Sequence, residues 1–182
     1  MPLSLARSTN DLVAFEFAAA YNRGDEGKPE SHLMTTETIF TICNTSVLPF
    51  WLLLVLAPGW KYTQMLVHGF AIPILLTFVY IYMMISGFGE AEGASFNSLE
   101  GVMAAFSVPE AVLAGWIHYL IFDLFIGAWE CRDARRLGIS HFLVIPCMAL
   151  TLMAGPVGLM LYLALRWGLK RAFILDEAPV GA

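Results

Sequence analysis

Residues 116–162 read WIHYLIFDLFIGAWECRDARRLGISHFLVIPCMALTLMAGPVGLMLY, and this stretch decides the fold. It holds two apolar runs, each long enough to cross a bilayer, with a charged segment between them. The first run carries His118 and Asp123. An aspartate near the centre of a membrane helix costs roughly 2.5 to 3.5 kcal/mol on insertion scales. A chain that keeps such a residue is expected to use it.

The composition predicts an integral membrane protein, because 58% of the 182 residues are hydrophobic and only 14% are charged. The net charge is -5 and the sequence has no run of basic residues, so the chain lacks the basic patch of a nucleic-acid binder. That class of partner is therefore excluded. The three cysteines show no C-x-x-C spacing, so no disulfide framework is expected. The N-terminus has neither signal-peptide nor transit-peptide character. This favours the bacterial inner membrane, or a chain already trimmed of its targeting segment.

Apolar periodicity predicts an all-α bundle of four transmembrane helices over residues 35–171. The spans are expected at about residues 36–57, 64–86, 111–129 and 140–165. Residues 1–34 are expected to be an extramembrane segment that can form an interfacial helix, and residues 172–182 a C-terminal tail. ECRDARRLG, residues 130–138, is expected to be a charged turn. Pro146 and GPVG, residues 155–158, are expected to interrupt the fourth span.

Orientation is left open by the basic residues. Four spans put both termini on one side of the membrane, and the turn after the third span then lies on the other side. That turn holds Arg132, Arg135 and Arg136, while the C-terminal flank holds Arg166, Lys170 and Arg171. The two sides are equally basic, so the positive-inside rule does not decide.

Six ionisable residues fall within or beside the spans: Glu37, His68, His118, Asp123, Glu130 and His141. Lipid-facing positions would be costly for them, so the bundle is expected to turn them inward. Glu37, Glu130 and His141 lie at span ends, where the simpler interpretation is a position among lipid headgroups. His118 and Asp123 lie on opposite sides of a regular helix, so each needs its own partner from another span. The candidate catalytic residues are Asp123, His118 and Glu37.

The residues leave several kinds of site open. No histidine pair has a spacing that places two metal ligands on one helix face, so no metal ligand is assigned. Carboxylates and histidines within spans also occur in the proton paths of transporters, although no internal repeat in this chain supports a transporter. Aromatic side chains around Asp123 instead indicate a pocket for a long, flat, apolar ligand. The candidate binding residues are Trp116, Tyr119, Phe122, Asn44, His68 and Trp129.

At HYLIFDLFIGAWECRD, at GISHFLVIPCMALTLMAGPVGLMLYL and at NTSVLPFWLLLVLAP, the chain resembles the plant neoxanthin-synthase-like family tied to abscisic acid deficiency, and its bacterial relatives. The resemblance covers about residues 40–166 and implies a four-span protein that acts on carotenoids. In the plant reaction, an epoxide oxygen is protonated and a proton leaves the adjacent polyene carbon. Asp123, His118 and Glu37 carry groups suited to this general acid–base catalysis. The shared pattern comprises Trp116, His118, Tyr119, Asp123, Trp129, Asp133, His141, Pro146 and residues 155–158.

The resemblance therefore implies an enzyme of isoprenoid metabolism that transforms β-carotene or a related polyene. Two reactions stay open: acid/base isomerisation, and oxidative cleavage to a retinal-like apocarotenoid. Isomerisation needs no cofactor, whereas cleavage needs oxygen activated by iron or by the light-absorbing polyene itself. The alternative is a carotenoid- or retinoid-binding membrane protein without turnover, and a small transporter is the third hypothesis. A homodimer is compatible with an apolar bundle in the bilayer.

Overall fold

The computed structural model describes residues 35–175, and all regular structure within this range is helical. The helices are α1 (Thr36–Ser46), α2 (Leu48–Leu56), α3 (Lys61–Leu66), α4 (Ala71–Glu90), α5 (Leu99–Ala105), α6 (Pro109–Arg136) and α7 (His141–Lys170). The predicted interfacial helix in residues 1–34 lies outside the described residues, as does the tail beyond residue 175.

Four helical segments are long and apolar enough to cross a membrane: Thr36–Leu56, Lys61–Glu90, Pro109–Arg136 and His141–Lys170. The first is capped at its N-terminus by Thr35, whose side chain accepts a hydrogen bond from the Thr38 backbone N–H. Its break after Ser46 precedes Pro49, which lacks the N–H that would continue the ladder from α1 into α2. The all-α prediction with four apolar segments is confirmed at this level.

Helix α6 is the central element, with α1, α2, α4 and α7 packed around it. Small residues let its neighbours approach closely. A Cβ atom added to Gly87 of α4 would lie 2.6 Å from the Ala111 backbone nitrogen, and one added to Gly127 would lie 2.6 Å from the Trp51 ring. Glycine at these two positions therefore sets the packing distance between helices.

The prediction of a charged turn over residues 130–138 is wrong for most of that stretch. Helix α6 continues to Arg136, with Arg135 and Arg136 in its last turn. Glutamate, alanine and arginine are good helix formers, and basic residues at a helix C-terminus complement its dipole. Because the helix continues, Glu130 and Asp133 lie on its buried face.

Helix α7 is broken at Ala154 (φ -152°, ψ 44°) and Gly155 (φ 9°, ψ -80°). Pro156 follows, and it has no N–H to continue the hydrogen-bond ladder. The predicted interruption at GPVG is thus confirmed, whereas Pro146 lies within helical backbone. We call residues 141–153 the first arm and residues 156–170 the second arm.

The two arms lie side by side. On a straight helix, Thr151 and Gly158 would be about 10.5 Å apart along the axis. Here the Gly158 Cα lies so close to Thr151 that an added Cβ would overlap the Thr151 backbone nitrogen. Helix α7 therefore doubles back on itself as a helical hairpin, with its tip at Ala154 and Gly155.

Contacts with α6 show the direction in which each arm of the hairpin runs. Along the first arm, the Cys131 thiol lies 3.1 Å from Met148 Sδ, and the Tyr119 hydroxyl donates to the Leu152 carbonyl at 3.2 Å. The first arm thus runs antiparallel to α6, from its C-terminal end towards its middle.

The second arm returns along the same part of α6. Tyr162 and Arg166 both bond Asp133. A Cβ atom on Gly138, just beyond α6, would lie 3.9 Å from Lys170 Nζ. Both ends of the hairpin therefore lie at the C-terminal end of α6.

Candidate functional site

Three carboxylates of α6 face the hairpin. Asp123, Glu130 and Asp133 are 8%, 0% and 4% exposed, respectively. Their spacing of seven and three residues keeps them close to one face of the helix. Buried carboxylates are costly without partners, so the bonds that each one makes indicate its role.

Asp123 lies against the tip of the hairpin. A Cβ atom added to Gly155 would lie 2.6 Å from Asp123 Oδ1, so glycine leaves the room that the carboxyl group occupies. Tyr119 lies one turn earlier on α6, and its hydroxyl group donates to the Leu152 carbonyl, close to the tip of the hairpin. Asp123 Oδ2 has no hydrogen-bond partner among residues 35–175. This oxygen is available to hold a proton or to bond a polar group of a ligand.

Glu130 lies two turns further along α6 and is also only partly bonded. The Thr151 hydroxyl donates to Glu130 Oε1 at 2.9 Å. Within the described part of the chain, Oε2 has no partner. The interpretation of Glu130 as a headgroup residue is wrong, because α6 extends beyond it and turns its side chain towards the first arm.

Asp133 is bonded by three side chains. Tyr162 donates to Oδ2 at 2.6 Å, Arg166 Nε donates to Oδ2 at 2.7 Å, and Arg136 donates to Oδ1 at 2.7 Å. Arg166 also donates to the Ala172 carbonyl, and to the Ile174 carbonyl at 2.9 Å. We call Asp133, Tyr162 and Arg166 the Asp133 network. It fastens the second arm of the hairpin to α6.

The Asp133 network was not among the predicted site residues. Sequence reasoning placed Arg166 on a flank, on the opposite side of the membrane from Asp133. One signal was present, since Tyr162 and Arg166 are four residues apart and share a helix face. That signal does not identify Asp133 as their partner, because the return of the chain after Gly155 is not visible in the sequence.

The three predicted catalytic residues lie in different places. His118 is exposed on the other side of α6, where its ring stacks on Phe122 with centroids 4.5 Å apart. Glu37 is exposed in the first turn of α1, beside Thr36, which donates to Glu110 at 3.4 Å. Thirteen residues of α6, or about 20 Å, separate Glu110 from Asp123. The structure therefore does not bring Asp123, His118 and Glu37 together in one site.

Among the predicted binding residues, three form a group beside Asp123. The Trp116 ring stacks on Tyr119 with centroids 5.4 Å apart, and Trp116 Nε1 donates to Asn44 Oδ1 at 3.2 Å. Trp116 is 40% exposed, while Tyr119 is half-buried. The pair therefore leads from the outer surface of the bundle to the carboxyl group of Asp123.

The other predicted binding residues lie apart from this group. His68 Nδ1 is 2.9 Å from Arg132 Nη1, and Trp129 packs edge-on against Tyr162 at 5.4 Å. Phe122 points outward beside His118. Successive residues on an α-helix are rotated by about 100°, so position 118 lies about 140° and position 122 about 100° around α6 from position 123. Residues 35–175 contain no cluster of three His, Cys, Asp or Glu side chains that could hold a metal ion.

Comparison with known proteins identifies the family. A model of the ABA4-like family, described as ABA DEFICIENT 4-like, matches residues 38–162. Protein ABA DEFICIENT 4, chloroplastic, from Arabidopsis thaliana is 30% identical over 145 residues. The match covers 73% of this chain and 64% of that relative, so the chain spans a little under two thirds of the relative's length. No solved structure matches. The chain belongs to the ABA DEFICIENT 4-like family.

Proposed function

We propose that this chain is an integral membrane protein that isomerises a carotenoid by acid/base chemistry at Asp123. One observation carries the proposal. Asp123 lies at the middle of a 28-residue helix, is 8% exposed, and keeps an oxygen without a partner in the described structure. Placing an ionisable group at such a depth costs free energy, so a chain that keeps one there is expected to use it.

The surface of the bundle supports a position within a bilayer. Large apolar side chains point outward on several helices, among them Phe78 (67% exposed), Ile85 (70%) and Phe142 (82%). Soluble monomers rarely expose apolar surface on this scale. The bacterial inner membrane is our proposal for the location, while the Arabidopsis relative is chloroplastic by name.

The aromatic pair Trp116 and Tyr119 supplies the binding surface. A polyene is long, flat and apolar, and it packs well against aromatic rings. In our proposal it lies on the lipid-facing side of Trp116, with one ring end reaching Asp123 past Tyr119. The membership of the family, together with the resemblance to neoxanthin-synthase-like proteins, supports a carotenoid as the ligand.

The proposed reaction moves protons only. The Asp123 carboxyl group donates its proton to the epoxide oxygen of an epoxy-xanthophyll, or to a polyene carbon of a carotene. A proton then leaves the adjacent carbon, and the carboxylate takes it up. The Tyr119 hydroxyl group donates its own proton to the Leu152 carbonyl, so towards Asp123 it can only accept a hydrogen bond from the protonated carboxyl group. Substrate and product have the same atoms and the same number of electrons, so no oxidant is needed. Cleavage to an apocarotenoid would instead consume dioxygen.

The test uses cells that make β-carotene and, separately, cells that make violaxanthin. Each expresses the wild-type chain, Asp123→Asn, or the control Glu110→Gln, which lies at the far end of the same helix. We expect the wild type and Glu110→Gln to yield an isomer of unchanged mass. Asp123→Asn is expected to lower that yield at least about 100-fold, the usual contribution of general acid–base catalysis.

Three results would contradict the proposal. Stoichiometric carotenoid on the purified wild type without any new product would favour a binding protein. A shortened product would establish cleavage. An Asp123→Asn variant that is folded and still forms the isomer would show that another group carries the proton.

A further inference from the structure

Each of the first three apolar segments has one end near the N-terminus of α6 and the other near its C-terminus, as side-chain contacts show. Thr36 of α1 bonds Glu110, and Gly87 of α4 packs on Ala111, so these ends lie at the N-terminal end of α6. We call it the Pro109 end. At the opposite end, which we call the Arg136 end, Arg135 donates to the Pro58 carbonyl at 3.1 Å. The segments Thr36–Leu56, Lys61–Glu90 and α6 therefore each run from one end to the other.

Helix α7 does not reach the Pro109 end. It starts at the Arg136 end, where His141 Nε2 donates to the Val55 carbonyl at 2.9 Å. Its tip lies at Asp123, thirteen residues or about 20 Å from Arg136. The arms of thirteen and fifteen residues are about 20 and 22 Å long, which is shorter than a hydrocarbon core of roughly 30 Å.

The outer surface of the tip is apolar. Met153 is 80% exposed and Val157 is 47% exposed, and both are apolar. The sequence has no Asp, Glu, Lys or Arg between His141 and Arg166. Irregular backbone at membrane depth is tolerated where it is buried against protein. Of the two residues with non-helical torsions, Gly155 is buried against Asp123, whereas Ala154 is exposed beside it.

We propose that α7 is a re-entrant hairpin, which enters and leaves the membrane at the Arg136 end. The described chain then crosses the membrane three times and not four, and Thr36 and Arg171 lie on opposite faces. This topology does not rest on the proposed chemistry. It places Asp123 beside the tip of the hairpin, and Glu130 between the tip and the Arg136 end.

The distribution of charge supports this topology. Every basic residue of the described chain then falls at the Arg136 end: Lys61, Arg132, Arg135, Arg136, Arg166, Lys170 and Arg171. The opposite end carries Glu37, Glu90, Glu92, Glu100 and Glu110. Arg7, Arg23 and Lys28 precede α1 in the sequence, and these three residues do not outnumber the seven at the Arg136 end. The positive-inside rule therefore places the Arg136 end in the cytoplasm.

Labelling of single introduced cysteines tests the proposal, with a maleimide that does not cross membranes. The native Cys43, Cys131 and Cys147 are all buried. Ser140→Cys and Phe173→Cys flank the hairpin, and Glu92→Cys reports the Pro109 end; all three positions are exposed. In intact bacterial cells that express the full chain, we expect Glu92→Cys to be labelled. Ser140→Cys and Phe173→Cys are expected to react only in inverted vesicles.

Opposite labelling of Ser140→Cys and Phe173→Cys would overturn the hairpin, because a fourth crossing separates these positions. Shared labelling of both in intact cells would overturn the orientation. A full-length chain with alkaline phosphatase at its C-terminus provides a second measurement that does not depend on cysteine variants. We expect an inactive phosphatase, and full activity would contradict the proposed placement of the C-terminus.

Discussion

Two regions of the contact between α6 and the hairpin differ in how their carboxylates are satisfied. Asp133 receives hydrogen bonds from Tyr162, Arg166 and Arg136. Asp123 and Glu130 each keep one oxygen without a partner in the described structure. All three carboxylates are at most 8% exposed. Burial alone therefore does not identify a functional carboxylate, and the bonds around it separate a structural role from an available group.

The largest expected effect is on the Asp133 network. Asp133→Asn removes the negative charge beside Arg166, whose side chain is 2% exposed. Breaking a buried ion pair leaves the remaining charge uncompensated and costs about 3–5 kcal/mol. We expect this loss in the free energy of unfolding of the purified protein, measured by titration with a denaturing detergent. A loss below about 1 kcal/mol would show that the second arm is held by packing instead.

The second-largest effect on the free energy of unfolding is expected where the two arms of the hairpin are in contact. Gly158→Ala places a methyl group on the Thr151 backbone, so the arms must separate. Overpacking of this kind costs about 1–3 kcal/mol. Gly168→Ala is the matched control on the same arm, since no atom lies within 4 Å of its added Cβ. The same titration should show the control unchanged or more stable by up to about 1 kcal/mol. Equal stability of the two variants would contradict the hairpin contact.

A smaller effect is expected at Glu130. Thr151→Val removes the hydroxyl group that donates to Glu130 Oε1. A double-mutant cycle with Glu130→Gln measures the coupling between these side chains, which we expect to be about 1 kcal/mol, as for a typical hydrogen bond. Additive effects of the two substitutions would show that the bond contributes nothing to stability.

The smallest effect on stability is expected from Asp123→Asn, the same chemical change as Asp133→Asn. Asp123 Oδ2 has no partner in residues 35–175, and no cation is paired with this carboxyl group there. The substitution should change the free energy of unfolding by less than about 1 kcal/mol, since no ion pair is broken. A loss as large as that of Asp133→Asn would erase the difference between the two regions and make Asp123 a structural residue.

Several features of the site were predictable from the sequence. Helical periodicity placed His118 and Asp123 on opposite sides of the third span, and in the structure Asp123 is buried whereas His118 is exposed. What periodicity does not supply is the partner of each side chain, so the bonds of Glu130 to Thr151 and of Asp133 to Tyr162 and Arg166 were not predicted.

The sequence by itself determined the helical segments and the break in α7. Long apolar runs can satisfy their backbone only as helices, and Pro156 cannot donate to the preceding turn. Only the tertiary structure decided where the chain goes after that break. The same local sequence is compatible with a kinked crossing and with a return, since the direction of the chain depends on the φ and ψ torsions of Ala154 and Gly155. Those torsions are held by distant contacts, above all by the bonds of Asp133 to Tyr162 and Arg166.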